Sequence, residues 1–152
     1  MPDLKKVDEI LKKHGNDVGQ LIGILQDVQG EFNYLPKHPL EHVAQKLGIP
    51  EAQVYGVATF FKAFSLKPRG KHIVHVCMGT ACHVRGAKKI LEECERDLQV
   101  AAGGTTKDMK FTLETVNCLG ACALGPIVVV DGEYHGRITV EGTKKALKKV
   151  AE

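Results

Sequence analysis

The chain has 152 residues, 43% of them apolar, which suffices for a buried core in one average domain or two small ones. Its 21 Lys and Arg against 18 Asp and Glu leave a formal charge of only +3, excluding the strongly basic balance of a dedicated nucleic-acid binder. The N-terminus "MPDLKKVDEILKKHG" interleaves charge with apolar residues, and no apolar run approaches the roughly 18 residues of a membrane span, so a soluble, cytoplasmic protein without direct membrane insertion is expected.

The first 64 or so residues read as helices. Leu4, Val7 and Leu11, then Val18, Leu21, Ile22, Leu25 and Val28, recur at three- and four-residue intervals, as one face of each of two helices requires. Asn16 or Asp17 supplies an N-cap for the second. Beyond a kinked loop, "GEFNYLPKHP", Pro39 suits the first turn of a third helix that carries Leu40, Val43, Ala44 and Leu47 and that Gly48 can close. Pro50 opens a fourth, with Val54, Val57, Ala58 and Phe61 inward. "SLKPRGKH" then reads as a linker.

After it the pattern changes. Residues 72–76, "HIVHV", form a β-branched run ending at Cys77; residues 84–98 form a helix; residues 111–116, "FTLETV", form a second strand ending just before Cys118. That is a β-α-β unit. The "GGTTKD" between helix and second strand lacks the spacing of a phosphate-binding loop and reads as a turn. "IVVV", Asp131-Gly132 and "EYHGRITV" signal a hairpin, and a lysine-rich helix begins near Glu141. The fold class is therefore α/β (α+β): a helical bundle over residues 1–66, then a β-α-β-β-β-α domain over residues 67–152.

Five cysteines in a reducing compartment point to metal or redox chemistry rather than structural disulfides. In a β-α-β unit the two parallel strands end at the same edge of the sheet, so the loops carrying Cys77 and Cys82 and those carrying Cys118 and Cys122 meet there as one four-thiolate pocket. Gly79, Gly120 and Gly125 allow close backbone approach, and their N–H groups, with those of Thr80 and Ala81, can donate to sulfur. A thioredoxin-type dithiol needs C-x-x-C, which is missing from this sequence. Structural zinc accepts four thiolates but prefers tighter pairs than x4 followed by x3. An iron-sulfur cluster tolerates the wider loops, and a Rieske centre would need a histidine pair that His75 and His83 do not make. The histidines read as surface or packing residues. The fifth thiol, Cys94, shares a helical face with Ala87, Ile90, Leu91 and Leu98 and should lie in the core.

Cys77-Met78-Gly79-Thr80-Ala81-Cys82 with Arg85-Gly86, and Cys118-Leu119-Gly120-Ala121-Cys122 with Pro126, carry a specific resemblance, as do "YLP" (residues 34–36), "GVATFF" (56–61) and "PRGKH" (68–72). The sequence resembles the thioredoxin-like 2Fe-2S ferredoxin subunit of NADH dehydrogenase and its relatives in NAD-linked hydrogenases and formate dehydrogenases. The resemblance implies that Cys77, Cys82, Cys118 and Cys122 ligate one 2Fe-2S cluster, two sulfurs to each iron. It also implies a thioredoxin-like ferredoxin domain, and a helical region that helps dock the chain on an FMN- and NADH-binding flavoprotein subunit beside further iron-sulfur subunits. Phe61 departs from the family pattern, where Tyr is usual, as do the small residues Ala123 and Gly125.

The expected role is electron transfer within an oxidoreductase complex, with no catalytic residues and no activity alone, since no G-x-G-x-x-G or substrate site is visible. Two other readings have specific sources. A zinc-stabilised adaptor would use the same four thiols. "EHVAQKLGIPEAQVYGVATFF" has the outline of a helix-turn-helix regulator, but residues 51–61 contain no Lys or Arg to meet a phosphate backbone, so nucleic acid is not an expected partner. Lys144, Lys145, Lys148 and Lys149 read as a solvated face.

Overall fold

The computed structural model describes residues 3–151, which fall into two compact units, the first ending at Arg69 and the second starting at Gly70. The first is all helix: α1 (Leu4–Lys13), a 3-10 turn (Val18–Gln20), α2 (Leu21–Phe32), α3 (Lys37–Leu47) and α4 (Glu51–Phe60). Their ends follow from local chemistry. Asp3 caps α1 by accepting from the Lys5 N–H at 3.0 Å, and Asp17 caps the 3-10 turn through the Gly19 N–H at 2.8 Å. Gly48 ends α3 at φ +66°, and the next residue but one, Pro50, stands at the N-cap of α4.

The faces of these helices meet in one core, in which Val7, Leu11, Ile24, Leu25, Val28, Leu35, Leu40, Val43 and Val54 have essentially no exposure. Four residues expected inward are not, beginning with Leu4, which is exposed in the first turn of α1. Val18 and Ile22 are exposed because the 3-10 turn ahead of Leu21 shifts the apolar stripe onto Leu21, Ile24, Leu25 and Val28. Phe61 is exposed because α4 ends at Phe60 and the chain turns extended at Phe61, carrying its ring off the inward face; Val57 is only partly buried.

The second unit is a five-stranded sheet with helices: β1 (His72–Cys77), α5 (Thr80–Val84), α6 (Ala87–Leu98), β2 (Gly104–Thr105), β3 (Phe111–Val116), β4 (Ile127–Val130), β5 (Glu133–Gly136) and α7 (Val140–Ala151). Strand order is β2-β3-β1-β4-β5; β1 and β3 are parallel neighbours, and every other pairing is antiparallel. In register, Cys77 stands opposite Val116, so β1 and β3 end together. β4 runs the other way and starts at that same edge, Val76 lying opposite Val128.

The expected β-α-β core is present with three local differences. The helix expected over residues 84–98 is broken, because Gly86 takes φ +100° and separates α5 from α6. The "GGTTKD" turn contributes a two-residue strand, β2, that extends the sheet. The strand expected through "EYHGRITV" stops at Gly136, where Arg137 takes φ +50°, and α7 begins at Val140. Alternate residues of the sheet, Val74, Val76, Leu113, Val128 and Val130, pack with Ile90, Cys94 and Leu147 from α6 and α7. A separate smaller cluster, Cys77, Cys82, Ala87, Ile127 and Val129, lies under the strand ends. Among the described residues no helix is long and apolar enough to cross a membrane.

Candidate functional site

Where β1 and β3 end and β4 begins, three loop segments face one another. The Met78 N–H donates to Val116 O at 2.8 Å, extending the β1–β3 pairing into the loops. Gly79 then passes so close to the second loop that a Cβ on it would stand 2.6 Å from Asn117 O, a distance no real side chain tolerates. Gly79 has an ordinary extended backbone, so its missing side chain, not its torsional freedom, is what the site requires. Gly125 acts likewise: a Cβ there would lie 3.0 Å from Cys82 Sγ. Only Gly120, at φ +79°, needs the left-handed region.

The packing of these loops encloses a cavity of about 620 Å³, lined by Cys77, Cys82, Cys118 and Cys122 together with Thr80, Arg85 and Leu119 among others. All four thiols expected at the sheet edge therefore face one space, each free of disulfide. They surround the cavity rather than a point within it: no three His, Cys, Asp or Glu side chains among the described residues are close enough to share one ion. The pairs differ in burial. Cys77 and Cys82 are each 2% exposed, whereas Cys118 and Cys122 are exposed at the mouth.

Backbone N–H groups are turned toward sulfur. The Gly120 N–H donates to Cys118 Sγ at 3.3 Å. Burial pushes the Cys77 thiol up, but N–H donors from Gly79 and Leu119 and the neighbouring Cys82 thiol outweigh it and leave Cys77 below the ordinary thiol value. Cys82 moves the other way. Burial raises it first and its neighbour Cys77 second, against a donor at Ile127. An array of soft thiols, one of them already biased toward thiolate, with amide donors to stabilise negative sulfur, fits an anionic iron-sulfur centre. Gly79 and Gly120 were legible as donors, whereas Gly125, also expected to donate to sulfur, gives its N–H to Cys122 O at 3.1 Å; Leu119 and Ile127 were not legible, because a backbone donor leaves no trace in residue type.

The remaining candidates lie elsewhere. Cys94 has no exposure and packs in the core with Ile90 and Leu147, apart from the cysteine cavity, and burial, with Asp97 and Glu93 nearby, pushes its thiol up to about 12. Most of the histidines face carboxylates: His14 meets Asp27, His42 meets Asp8, His72 meets Asp131 and His75 meets Glu114, at 2.7–3.2 Å. Lys144 ion-pairs with Glu93 of α6 at 2.7 Å. It is a strap between helices rather than part of an open basic face.

A sheet edge that gathers two cysteine loops around a cavity lined with amide donors defines an iron-sulfur electron carrier, a ferredoxin. The chain belongs to the thioredoxin-like [2Fe-2S] ferredoxin family, whose model matches residues 7–151, and its cofactor is a 2Fe-2S cluster. Among curated proteins it is 38% identical over 146 residues to the NADP-reducing hydrogenase subunit HndA of Solidesulfovibrio fructosivorans, covering 96% of this chain and 85% of that one. It is 37% identical over 153 residues to a subunit of the NADH-quinone oxidoreductase of Rickettsia conorii, covering 97% and 90%. Its fold is shared with a chain of the NAD+-reducing [NiFe]-hydrogenase in the air-oxidised state, with a TM-score of 0.76 at 15% identity over 87% of this chain. This chain spans 23% of that hydrogenase chain. Membership of a ferredoxin family leaves neither the zinc adaptor nor the DNA-binding regulator as the favoured reading.

Proposed function

We propose that Cys77, Cys82, Cys118 and Cys122 hold the 2Fe-2S cluster, and that the chain passes single electrons as a subunit of an NAD(P)H-linked, flavin-containing oxidoreductase complex in the cytoplasm. The observation that carries this is the convergence of those four thiols, and of no other cysteine, on one cavity at the ends of β1 and β3. When bound, the cluster supplies one-electron chemistry, which complements a flavin that accepts a hydride and releases electrons singly. The chain's own residues do the holding. Cys77 and Cys82 form the buried wall, Cys118 and Cys122 the exposed one, and amide donors from Gly79, Leu119, Gly120 and Ile127 offset the negative charge on sulfur.

The relatives named above are subunits of a hydrogenase and of an NADH-quinone oxidoreductase, which supports a place in an assembly of that kind. In it, residues 67–152 would be the cluster-bearing domain. Residues 1–66 would be the helical domain that docks on the flavoprotein subunit, with no catalytic residue contributed by either.

Anaerobic isolation tests the ligand set. The full chain should be red-brown, carry about two irons and two sulfides, and become paramagnetic on one-electron reduction. Cys→Ala at 77, 82, 118 or 122 should strip or destabilise the iron, whereas Cys94→Ala should leave it unchanged. Iron lost from the Cys94 variant, or a colourless chain holding zinc, overturns the assignment. Native isolation from the source cells should bring down a flavin-containing subunit; a cluster-bearing chain that always isolates alone would instead mark a stand-alone ferredoxin.

A further inference from the structure

Arg85 stands three residues beyond Cys82, immediately after α5, and lines the cysteine cavity. Its partners lie on the other cysteine loop. Arg85 Nη1 donates to Cys122 O at 2.7 Å and reaches Ala123 O and Gly125 O at 3.4 Å each. The positions it reaches are the turn Cys122–Leu124 and the residue after it, a segment that brings the chain from the last cysteine back to β4. Among the described residues the guanidinium engages carbonyls and no carboxylate, so its charge is left uncompensated at the cavity wall.

That arrangement has two consequences. Mechanically, one side chain ties the loop of the first cysteine pair to the loop of the second across 37 residues of sequence. Electrostatically, a permanent cation sits beside a centre whose four thiolates make it anionic. Reduction adds one electron, taken from an external donor, and therefore one further negative charge with no proton. A nearby cation stabilises that added charge and raises the reduction potential. Arginine suits the task because it stays charged at any working pH while one of its nitrogens, Nη1, reaches the carbonyls of the second loop. Because Arg85 is solvent-exposed, salt screens part of the effect.

We propose that Arg85 is a positioning residue of the redox centre: it clasps the Cys122 loop to the Cys82 loop and holds the cluster's potential up. The inference rests on the ligand set proposed above, and the two fail differently. A wild-type chain that binds no iron refutes the ligand set; a loaded chain whose potential ignores Arg85 refutes only this step.

The test is an EPR-monitored redox titration of the full anaerobic chain, compared with Arg85→Gln and Arg85→Lys. Poised at the wild-type midpoint, Arg85→Gln should show a reduced-to-oxidised ratio about tenfold lower, a shift of about 59 mV for one electron. Arg85→Lys, which keeps the charge, should stay close to wild type. Added salt should lower the wild-type midpoint more than that of Arg85→Gln. Overlapping titrations of wild type and Arg85→Gln, or a lost charge that Lys fails to replace, would overturn the proposal. If Arg85→Gln folds normally by circular dichroism but loads no iron, recovery of loading by Arg85→Lys supports the clasp, and failure to recover counts against it. An Arg85→Gln chain that does not fold at all assigns the residue to the fold and ends the proposal.

Discussion

The helical unit and the sheet unit bury their apolar residues in different patterns. In the first, helix faces converge on one continuous cluster that takes in residues from α1 through α4, and no cysteine enters it. In the second, the core is divided: one cluster sits between the sheet and α6 and α7, and a smaller one, which includes Cys77 and Cys82, sits beneath the strand ends. A divided core leaves an edge where backbone, instead of side chains, closes the structure, and loops there can come close enough to surround a cofactor. The same residue type should therefore answer differently to the same substitution in the two units.

The largest contrast concerns a core leucine. Leu25 has no exposure and lies in the middle of the helical cluster, so Leu25→Ala should cost about 2–5 kcal/mol of that unit's stability. Iron content and visible absorbance should stay unchanged under native conditions, because all the proposed ligands lie in the other unit. Denaturant unfolding followed both by far-ultraviolet circular dichroism and by visible absorbance checks this. The helical signal should shift to lower denaturant. A loss of iron in native buffer would mean that the helical core supports the site.

Glycine gives the next contrast, with opposite signs. A Cβ at Gly79 would meet Asn117 O at 2.6 Å, and neither partner there is the mobile end of a side chain. Gly79→Ala should push the two cysteine loops apart and lower bound iron substantially, with little change in helical content. In α4, a Cβ at Gly56 would meet nothing within 4 Å, so Gly56→Ala should stabilise the helical unit by about 0.5–1 kcal/mol. Iron analysis and thermal melts of the two variants read both effects. A Gly79→Ala chain with full iron occupancy would show that the close approach is dispensable.

These contrasts also separate what the sequence could reveal from what it could not. Side-chain chemistry and periodicity were readable: the cysteine spacing and the β-branched runs ending at Cys77 and just before Cys118 pointed to the sheet edge where four cysteines line one cavity, and the helical stripe put Cys94 in the core. Backbone geometry was not. Leu119 and Ile127 donate to sulfur through main-chain N–H groups, and Arg85 binds main-chain carbonyls, so residue identity on the main-chain side of each contact carries no signature. The break at Gly86 was hidden too, because the apolar spacing runs on through it and only the positive φ separates α5 from α6. Phe61 misled for the opposite reason. Its spacing fits the inward face of α4, but the helix ends one residue too early to keep it there.

The smallest expected effect tests how the sheet unit holds the helices on its larger core. Glu93 of α6 is 7% exposed and meets Lys144 of α7 at 2.7 Å and Arg96 at 2.8 Å. The Lys144 ammonium beside it holds its carboxyl below the usual value of 4.5, against the opposing pull of burial. A carboxyl depressed in the folded state contributes stability that is fully present above its ordinary value and is lost as pH falls below that toward the folded one. Thermal melts of the wild type should therefore weaken between neutral pH and the region below 4.5 more than those of Glu93→Gln, which has no proton to take up there. At neutral pH the variant should melt lower, since the Lys144 and Arg96 charges lose their partner. Parallel pH profiles for the two chains would show that the α6–α7 contact rests on its apolar residues, Ile90, Cys94 and Leu147, and that the ion pair adds nothing to it.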